Sequence, residues 1–409
     1  MRRVVVTGMA GVSSVGQDWT TVRENLRARR SGIRYMDEWD IYEGLLTRLG
    51  GPVDAFERPE HYRRKATRSM GRVALMATRA TELALADAGL LEEKAILGSG
   101  RAGVAYGSST GSTDALTDFA GLLINRSTSG ITATTYIRMM SHTAPVNVGV
   151  FFGLKGRIYT TSSACTSGSQ GIGYAYEAIR SGAQDIMIGG GGEELCPTEA
   201  AVFDALFATS TRNDAAHTTP RPYDRDRDGL VIGEGAGSLV LEELEHARAR
   251  GAHIHAEVVG FGTNSDGRHV TEPEASTMQV ALELALADAE LDPAAIGYVS
   301  GHGTATDRGD VAESIATRET FGRAVPISAF KSYTGHTLGA CGALEAWVAI
   351  HSMNEGWFHP TINLENLDPN CAELDYITGE GRELDCEYIM SNNFAFGGIN
   401  TSLIFRRWQ

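Results

Sequence analysis

Along the chain, short apolar runs of strand character alternate with stretches in which apolar residues return at helical spacing. Residues 4–6 (Val-Val-Val) read as a buried strand that ends at Gly8. From Arg64 onward the spacing turns helical. Val73, Ala74, Ala77, Ala80, Leu83 and Ala84 form one apolar face that runs to about Leu90. Residues 102–106 make the next strand and lead into the small-residue loop 107–111. Residues 157–161 make another, followed by an amphipathic helix with Ile172, Ala175, Ala178 and Ile179 near helical spacing. A buried strand at 185–188 runs into four consecutive glycines, 189–192. Residues 238–242 and 255–259 read as strands on either side of a charged helical turn, 243–250.

The second half repeats this order. A strand at 296–300 ends in Gly301-His302-Gly303-Thr304, and a strand at 325–330 ends in Lys331-Ser332-Tyr333-Thr334-Gly335-His336. A helix follows through Ala343, Ala346, Trp347 and Ile350. A last strand, 388–391, precedes a closing loop, 392–400. Strand, small polar loop, helix recurs in both halves, which predicts two similar α/β units, 1–250 and 251–409, without a flexible linker.

Cys165 falls at a strand-to-helix turn among residues too small to cover it. A helix start favours a thiolate and offers free backbone N–H groups to an oxyanion, which is what a nucleophile needs. In open α/β sheets, sites gather at the carboxyl ends of strands, so His302 and His336 belong with Cys165. A Cys-His-His arrangement of this kind suits nucleophilic catalysis. A metal site on the same residues is the weaker reading, because no acidic or histidine neighbour stands at helical ligand spacing.

Composition narrows the partners. Thirty-six basic residues against 51 acidic ones leave a formal charge of −15, which argues against nucleic acid. Five cysteines, Cys165, Cys196, Cys341, Cys371 and Cys386, include no C-x-x-C pair. They support neither a disulfide framework nor a zinc site and fit a reducing, cytoplasmic setting. The basic start carries too short an apolar run for a signal peptide, and no apolar run is long enough to span a membrane.

Six motifs, in this order, resemble the β-ketoacyl-acyl-carrier-protein synthases of the thiolase-like superfamily: Ser163-Ala164-Cys165; residues 190–195 (Gly-Gly-Gly-Glu-Glu-Leu); Arg221-Pro222-Tyr223-Asp224 with Arg227-Asp228-Gly229; His302-Gly303-Thr304-Ala305-Thr306; residues 331–336; and residues 392–400. The class covers the fatty-acid elongating β-ketoacyl synthases I and II and type II polyketide ketosynthases, and the likeness runs from Val4 to Asn400. It implies duplicated thiolase-like halves in a layered α-β-α-β-α arrangement.

The resemblance also implies a reaction and its parts. An acyl chain moves from carrier-protein phosphopantetheine to Cys165, malonyl-carrier protein loses CO2, and the resulting carbanion attacks the thioester. His302 and His336 are then neutral donors to the enolate oxygen, and Lys331 supplies nearby positive charge. The backbone N–H groups of Cys165 and Phe396 form the oxyanion hole, in a gate with Phe394 and Ala395. Thr304 and Thr306 match pantetheine-binding threonines, and Glu345 matches a buried structural acid. Arg64, Lys65 and Arg68, with Arg126, match basic positions that dock the acidic carrier. No cofactor or metal is implied beyond the carrier's own arm. The family pairs, so a homodimer or a heterodimer with a related ketosynthase-like subunit is expected.

Two other readings compete: a degradative thiolase, with Cys341 as its second cysteine, and a non-catalytic chain-length partner subunit. The first is disfavoured because His336 already fills the second-histidine role, the second because the nucleophile is present. The closing loop departs from the family's usual Gly-Phe-Gly-Gly-Thr-Asn: Ala395 stands for the first Gly and Ile399 for Thr. These departures, with mixed synthase I and II features, suggest a specialised polyketide or polyene role. Ala395 is expected to stiffen the gate if that position needs positive φ.

Overall fold

The computed structural model describes residues 1–54 and 56–409. Eleven strands form one mixed sheet: β1 (Val4–Ser13), β2 (Ala102–Gly107), β3 (Ile158–Thr160), β4 (Ile186–Glu193), β5 (Gly235–Glu243), β6 (Ala256–Ser265), β7 (Ile296–Ser300), β8 (Pro326–Ser328), β9 (Asp375–Tyr376), β10 (Tyr388–Ala395) and β11 (Ile399–Arg407). Their order is β9-β8-β7-β10-β11-β6-β1-β5-β4-β2-β3. The sheet narrows at the middle, where only residues 4–6 of β1 pair with residues 256–258 of β6.

On one side of that join the order is β3-β2-β4-β5-β1, with β3, β2 and β4 parallel and the β4–β5 and β5–β1 pairs antiparallel. On the other side it is β8-β7-β10-β11-β6, with the same senses pair for pair. The short β9 extends the outer edge. The repeated sequence pattern thus corresponds to a repeated topology.

The helices that matter here are α1 (Arg72–Asp87), α2 (Asp114–Asn125), α3 (Ser167–Arg180), α4 (Pro197–Asp204), α5 (Ala275–Ala289), α6 (Asp307–Phe321) and α7 (Cys341–Glu355). Helix α1 covers β1 and β5 from outside, and α5 covers β6 and β11 with α6 beside it. Helices α3 and α7 pack on each other, and each touches strands of both half-sheets. The layers therefore run helix, sheet, helix, sheet, helix. A helix between two sheets cannot keep a wet face, which is why α7 is buried without a break from Cys341 to Ile350. The two central helices meet at glycines: a Cβ on Gly168 would lie 2.9 Å from the Ala343 amide nitrogen, and one on Gly342 2.8 Å from that of Ser169. The largest core cluster spans both halves, with Met9, Ile172, Trp347 and Phe405 among its members.

Several elements differ from the sequence pattern. Strand β1 runs ten residues rather than three, continuing past Gly8 through a bulge at Thr7. The helix expected from Arg64 breaks into one turn, Arg64–Thr67, and α1 proper. It breaks at extended Gly71, where any side chain would strike Ser112. The glycines 189–192 lie inside β4, because the turn before α7 passes directly over Gly191. The closing loop is mostly strand: residues 392–395 belong to β10 and pair with the start of β11, which leaves only Phe396-Gly397-Gly398 as a hairpin tip.

Candidate active site

The nucleophile turn follows β3. Ala164 takes a left-handed φ of 50°, a short 3-10 turn (Ala164–Thr166) follows, and α3 begins at once. The Ser167 hydroxyl fastens this bend, donating to the Ala164 carbonyl at 2.7 Å and accepting from the Ser163 amide at 2.9 Å. Cys165 is thereby held at the head of α3, buried, on the wall of a cavity of about 500 Å³. His302, His336, Thr304, Thr306 and Phe396 share that cavity wall.

The C-terminal half brings the other groups. His302 follows β7, and Lys331 opens a one-turn helix after β8. The loop that carries His302 is pinned by two buried carboxylates one helical turn apart on α6. Glu313 accepts from the His302 and Gly303 amides at 2.5 and 2.7 Å, and Asp310 from the Thr304 and Ala305 amides at 2.9 and 3.1 Å. Burial raises Glu313 to about 7 against the pull of those amides, and raises Asp310 to about 6 against the charge of Arg227.

The ammonium of Lys331 has three protons and three acceptors: Glu345 Oε1 at 2.5 Å, the His302 carbonyl at 2.8 Å and His302 Nδ1 at 3.0 Å. Burial works against its charge, but Cys341 and Glu345 more than offset it, and its pKa stands above the ordinary lysine value. Because an ammonium can only donate, His302 Nδ1 is an acceptor and the ring proton sits on Nε2. For His336, the Leu338 amide donates to Nδ1 at 3.2 Å, so its proton is also on Nε2, which lies 3.1 Å from Cys165 Sγ. Burial first, then the Lys331 charge, holds both imidazoles well below the ordinary histidine range. Both rings are neutral, 5.2 Å apart and nearly perpendicular, each with its N–H at Nε2.

Cys165 corrects one expectation. Burial pushes its thiol up to about 11, while Lys331 and the backbone N–H groups of Phe396 and of Cys165 itself pull the other way. The resting sulfur is a thiol rather than a thiolate created by the helix start. The same two N–H groups and His336 Nε2–H nonetheless converge on the sulfur.

Cys165, His302 and His336 also place three ligand atoms within 4.8 Å of one another. Their tautomers suit donation rather than metal binding. Coordination at Nε2 would move each ring proton to Nδ1, where it would face the Leu338 amide or the Lys331 ammonium. Cys341 gives its thiol to the Cys165 carbonyl at 3.2 Å and is absent from the cavity wall, so it is not placed as a second base.

The remaining residues fall in three groups. Phe394 sets its edge against His302 at 5.9 Å between ring centroids, and Phe396 lies against Phe203 of α4 at 5.3 Å. The Thr304 and Thr306 hydroxyls bond each other at 2.8 Å. Ala395 ends β10 opposite Ile399 without positive φ; the left-handed positions are Gly397 (φ 91°) and Gly398 (φ 69°). Ala395 is therefore unstrained here, and the expected stiffening has no backbone cause in this conformation. Arg64, Lys65, Arg68 and Arg126 are all exposed, none on the cavity wall. Sequence reasoning missed Asn393, whose Nδ2 donates to Glu345 Oε2 at 2.6 Å and lies 3.3 Å from His302 Nδ1. Two asparagines in a buried strand were the available signal, since buried amides need partners.

Two family models match the chain: "Beta-ketoacyl synthase, N-terminal domain" over residues 1–247 and "Beta-ketoacyl synthase, C-terminal domain" over residues 255–365. The chain is 40% identical to 3-oxoacyl-[acyl-carrier-protein] synthase 2 of Vibrio cholerae, with 99% of each chain covered. It is 39% identical to synthase 1 of Escherichia coli K12, covering 100% of this chain and 99% of that one. Among solved structures, a beta-ketoacyl synthase from Burkholderia phymatum superposes with a TM-score of 0.99 at 60% identity, and the ishigamide ketosynthase/chain length factor with 0.90 at 34%, each covering 100% of both chains. With these matches across its whole length and a Cys-His-His centre at the meeting of two duplicated halves, the chain belongs to the β-ketoacyl synthase family.

Proposed function

We propose that this protein is a β-ketoacyl-acyl-carrier-protein synthase that joins malonyl units to an acyl chain held on Cys165. The Cys165 thiol attacks the incoming carrier thioester. Its proton leaves with the departing carrier thiol, while the Cys165 and Phe396 N–H groups hold the oxyanion. Malonyl-carrier protein then enters, its carboxylate leaves as CO2, and the electron pair passes to the thioester oxygen. Neutral His302 and His336 donate their Nε2–H groups to that enolate oxygen. The enolate carbon attacks the acyl-Cys165 carbonyl, and the C–S bond breaks with its electron pair on the Cys165 sulfur. That sulfur takes up one proton from solvent to return to the resting thiol, and the β-ketoacyl chain departs on the carrier. No cofactor takes part in these steps beyond the carrier's phosphopantetheine.

The observation that carries this reading is the pair of fixed tautomers: two neutral rings on the cavity wall that Cys165 shares, each with its only N–H at Nε2. Cys165→Ala should lose condensation and keep CO2 release from malonyl-carrier protein. His302→Ala and His336→Ala should lose CO2 release and keep some acylation, followed by intact-protein mass. Condensation at the wild-type rate by Cys165→Ala would sink the reading.

Thr304 and Thr306 receive the pantetheine arm in this reading, which their position on the cavity wall supports, and Glu345 holds Lys331 through their ion pair. The units of duplication are residues 1–250 and 251–409, in line with the repeated strand order. The carrier is the acidic partner, and Arg64, Lys65, Arg68 and Arg126 are its docking residues, exposed on a chain of net charge −15. Arg64→Glu with Lys65→Glu should slow carrier-bound substrates through association and spare small thioesters. Dimerisation runs through the free edge of β3, where Ile158 is 44% exposed; sedimentation decides between a self-pair and a related subunit. Among the described residues no helix is long and apolar enough to cross a membrane. The five buried free thiols suit the reducing cytoplasm.

A further inference from the structure

We propose that Asn393 is a positioning residue that, with Lys331, locks His302 in the tautomer that donates from Nε2; this rests on the reading above. Asn393 lies in β10 and is fully buried. The orientation of its amide follows from chemistry. The atom 2.6 Å from Glu345 Oε2 has to be the nitrogen, because an amide oxygen there would face a carboxylate. The second hydrogen of that nitrogen then points at His302 Nδ1, 3.3 Å away, with Cys341 Sγ at 3.7 Å.

Two donors from different elements thus converge on one ring nitrogen: the Lys331 ammonium after β8 and the Asn393 amide in β10. Asn393 and Lys331 also take one oxygen each of Glu345, which ties the carboxylate down on both sides. A lone ammonium could swing among its three acceptors. The amide, fixed in a strand, keeps a donor at Nδ1 whichever way Lys331 moves. The charged and titratable groups around His302 are Lys331, His336, Cys165, Cys341, Glu345 and Glu313; among these neighbours Asn393 is the neutral donor to its ring.

Asn393→Asp is nearly isosteric and reverses the contact. An ionised carboxylate at Nδ1 favours a proton there, and a carboxyl sharing its proton with Glu345 still turns an acceptor toward the ring. The expected result is a fall in CO2 release from malonyl-carrier protein of about 100-fold, as for loss of a positioned acid–base group. Its acid limb should move to higher pH, because a carboxylate stabilises the imidazolium. Acylation of Cys165, which does not use His302, should fall less than about threefold. Asn393→Ser, which keeps a short donor, should lose about tenfold in CO2 release with the acid limb in place, and it carries the test if the Asp variant does not fold.

Equal losses in both half-reactions with an unmoved acid limb would make Asn393 merely structural and overturn the proposal. So would unchanged CO2 release in the Asp variant, or, where that variant fails to fold, in the Ser variant. Wild-type protein that releases no CO2 at all would instead overturn the functional reading, so the two failures are distinguishable.

Discussion

After β3, a 3-10 turn starts at left-handed Ala164 (φ 50°) and runs into α3; before α7, a second starts at left-handed Leu338 (φ 43°). In each, the next helix begins directly after the turn, and its second residue is the glycine at which the two helices touch. Cys165 is the second residue of the first turn and Gly339 the second of the other. The fold thus offers the same helix start and the same left-handed bend in both halves. What differs is the surroundings. Cys165 lines the cavity, whereas a Cβ on Gly339 would stand 2.8 Å from Glu193 Oε2 and 2.9 Å from the Ser108 Cα. The Gly339 N–H is spent on Glu193, at 3.0 Å. A nucleophile turn is therefore necessary and not sufficient: the open cavity and the turned-in imidazoles decide which copy works.

Transplanting the nucleophile is the hardest test of that comparison. Cys165→Ala combined with Gly339→Cys should show no condensation, a loss of more than about 1,000-fold, because the second turn has no cavity and no histidine donor. Gly339→Cys alone should also lower stability by about 1–3 kcal/mol through overpacking, read from denaturant midpoints. Restored condensation in the double variant would show that the turn alone makes the site.

The second effect belongs to the C-terminal half. Lys331 and Glu345 form an ion pair in which both side chains are at most 2% exposed. Glu345→Ala should cost about 3–5 kcal/mol, since it leaves a buried charge without its partner. Its N-terminal counterpart in burial, Glu193, is held by amides and a hydroxyl instead, at Ser109, Gly339 and Ser108. Equal chemical unfolding midpoints for Glu345→Ala and wild type would mean that no charge remains at Lys331.

A third test uses pH. His302 and His336 are harder to protonate folded than unfolded, where the ordinary value is 6.5. Their contribution to stability is therefore complete above that value and is lost as pH falls below it, each by up to about 1.4 kcal/mol per pH unit. Raised Glu313 and Asp310 act in the opposite sense, so the readout is a difference. Stability of His302→Gln/His336→Gln should fall less steeply than wild type between pH 6.5 and acid. Parallel curves would place both rings in ordinary surroundings. CO2 release by wild type should stay level as pH falls just below 6.5 and drop only at the lower pH where His302 and His336 themselves take up protons, which is its acid limb.

The smallest effect is at the hairpin tip. Ala395→Gly should cost about 0.5–1 kcal/mol of stability and leave acyl selectivity unchanged, because Gly397 and Gly398 already carry the left-handed bends. A changed product profile would show that the tip passes through positive φ at Ala395 when it opens.

Periodicity and motif order were enough to read the duplicated α/β plan and to bring Cys165, His302, Lys331, His336 and Glu345 into one list. Both are written in local sequence: strand runs end in small polar loops, where Cys165, His302, Lys331 and His336 stand, while Glu345, inside α7, came only with the family resemblance. The break before α1, the length of β1 and the burial of glycines 189–192 within a strand were decided by tertiary structure. Each arises from an element distant in sequence, such as Ser112 against Gly71 or Gly339 against Gly191, which no local window contains. The same holds for the chemistry. Residue identity named the histidines, but which nitrogen holds each proton depends on the Lys331 ammonium, the Leu338 amide and Asn393, brought there by strands β8 and β10 and by the turn before α7. The protonation of Cys165 likewise follows from burial under both halves, a quantity that exists only once the sheets have closed over α3 and α7.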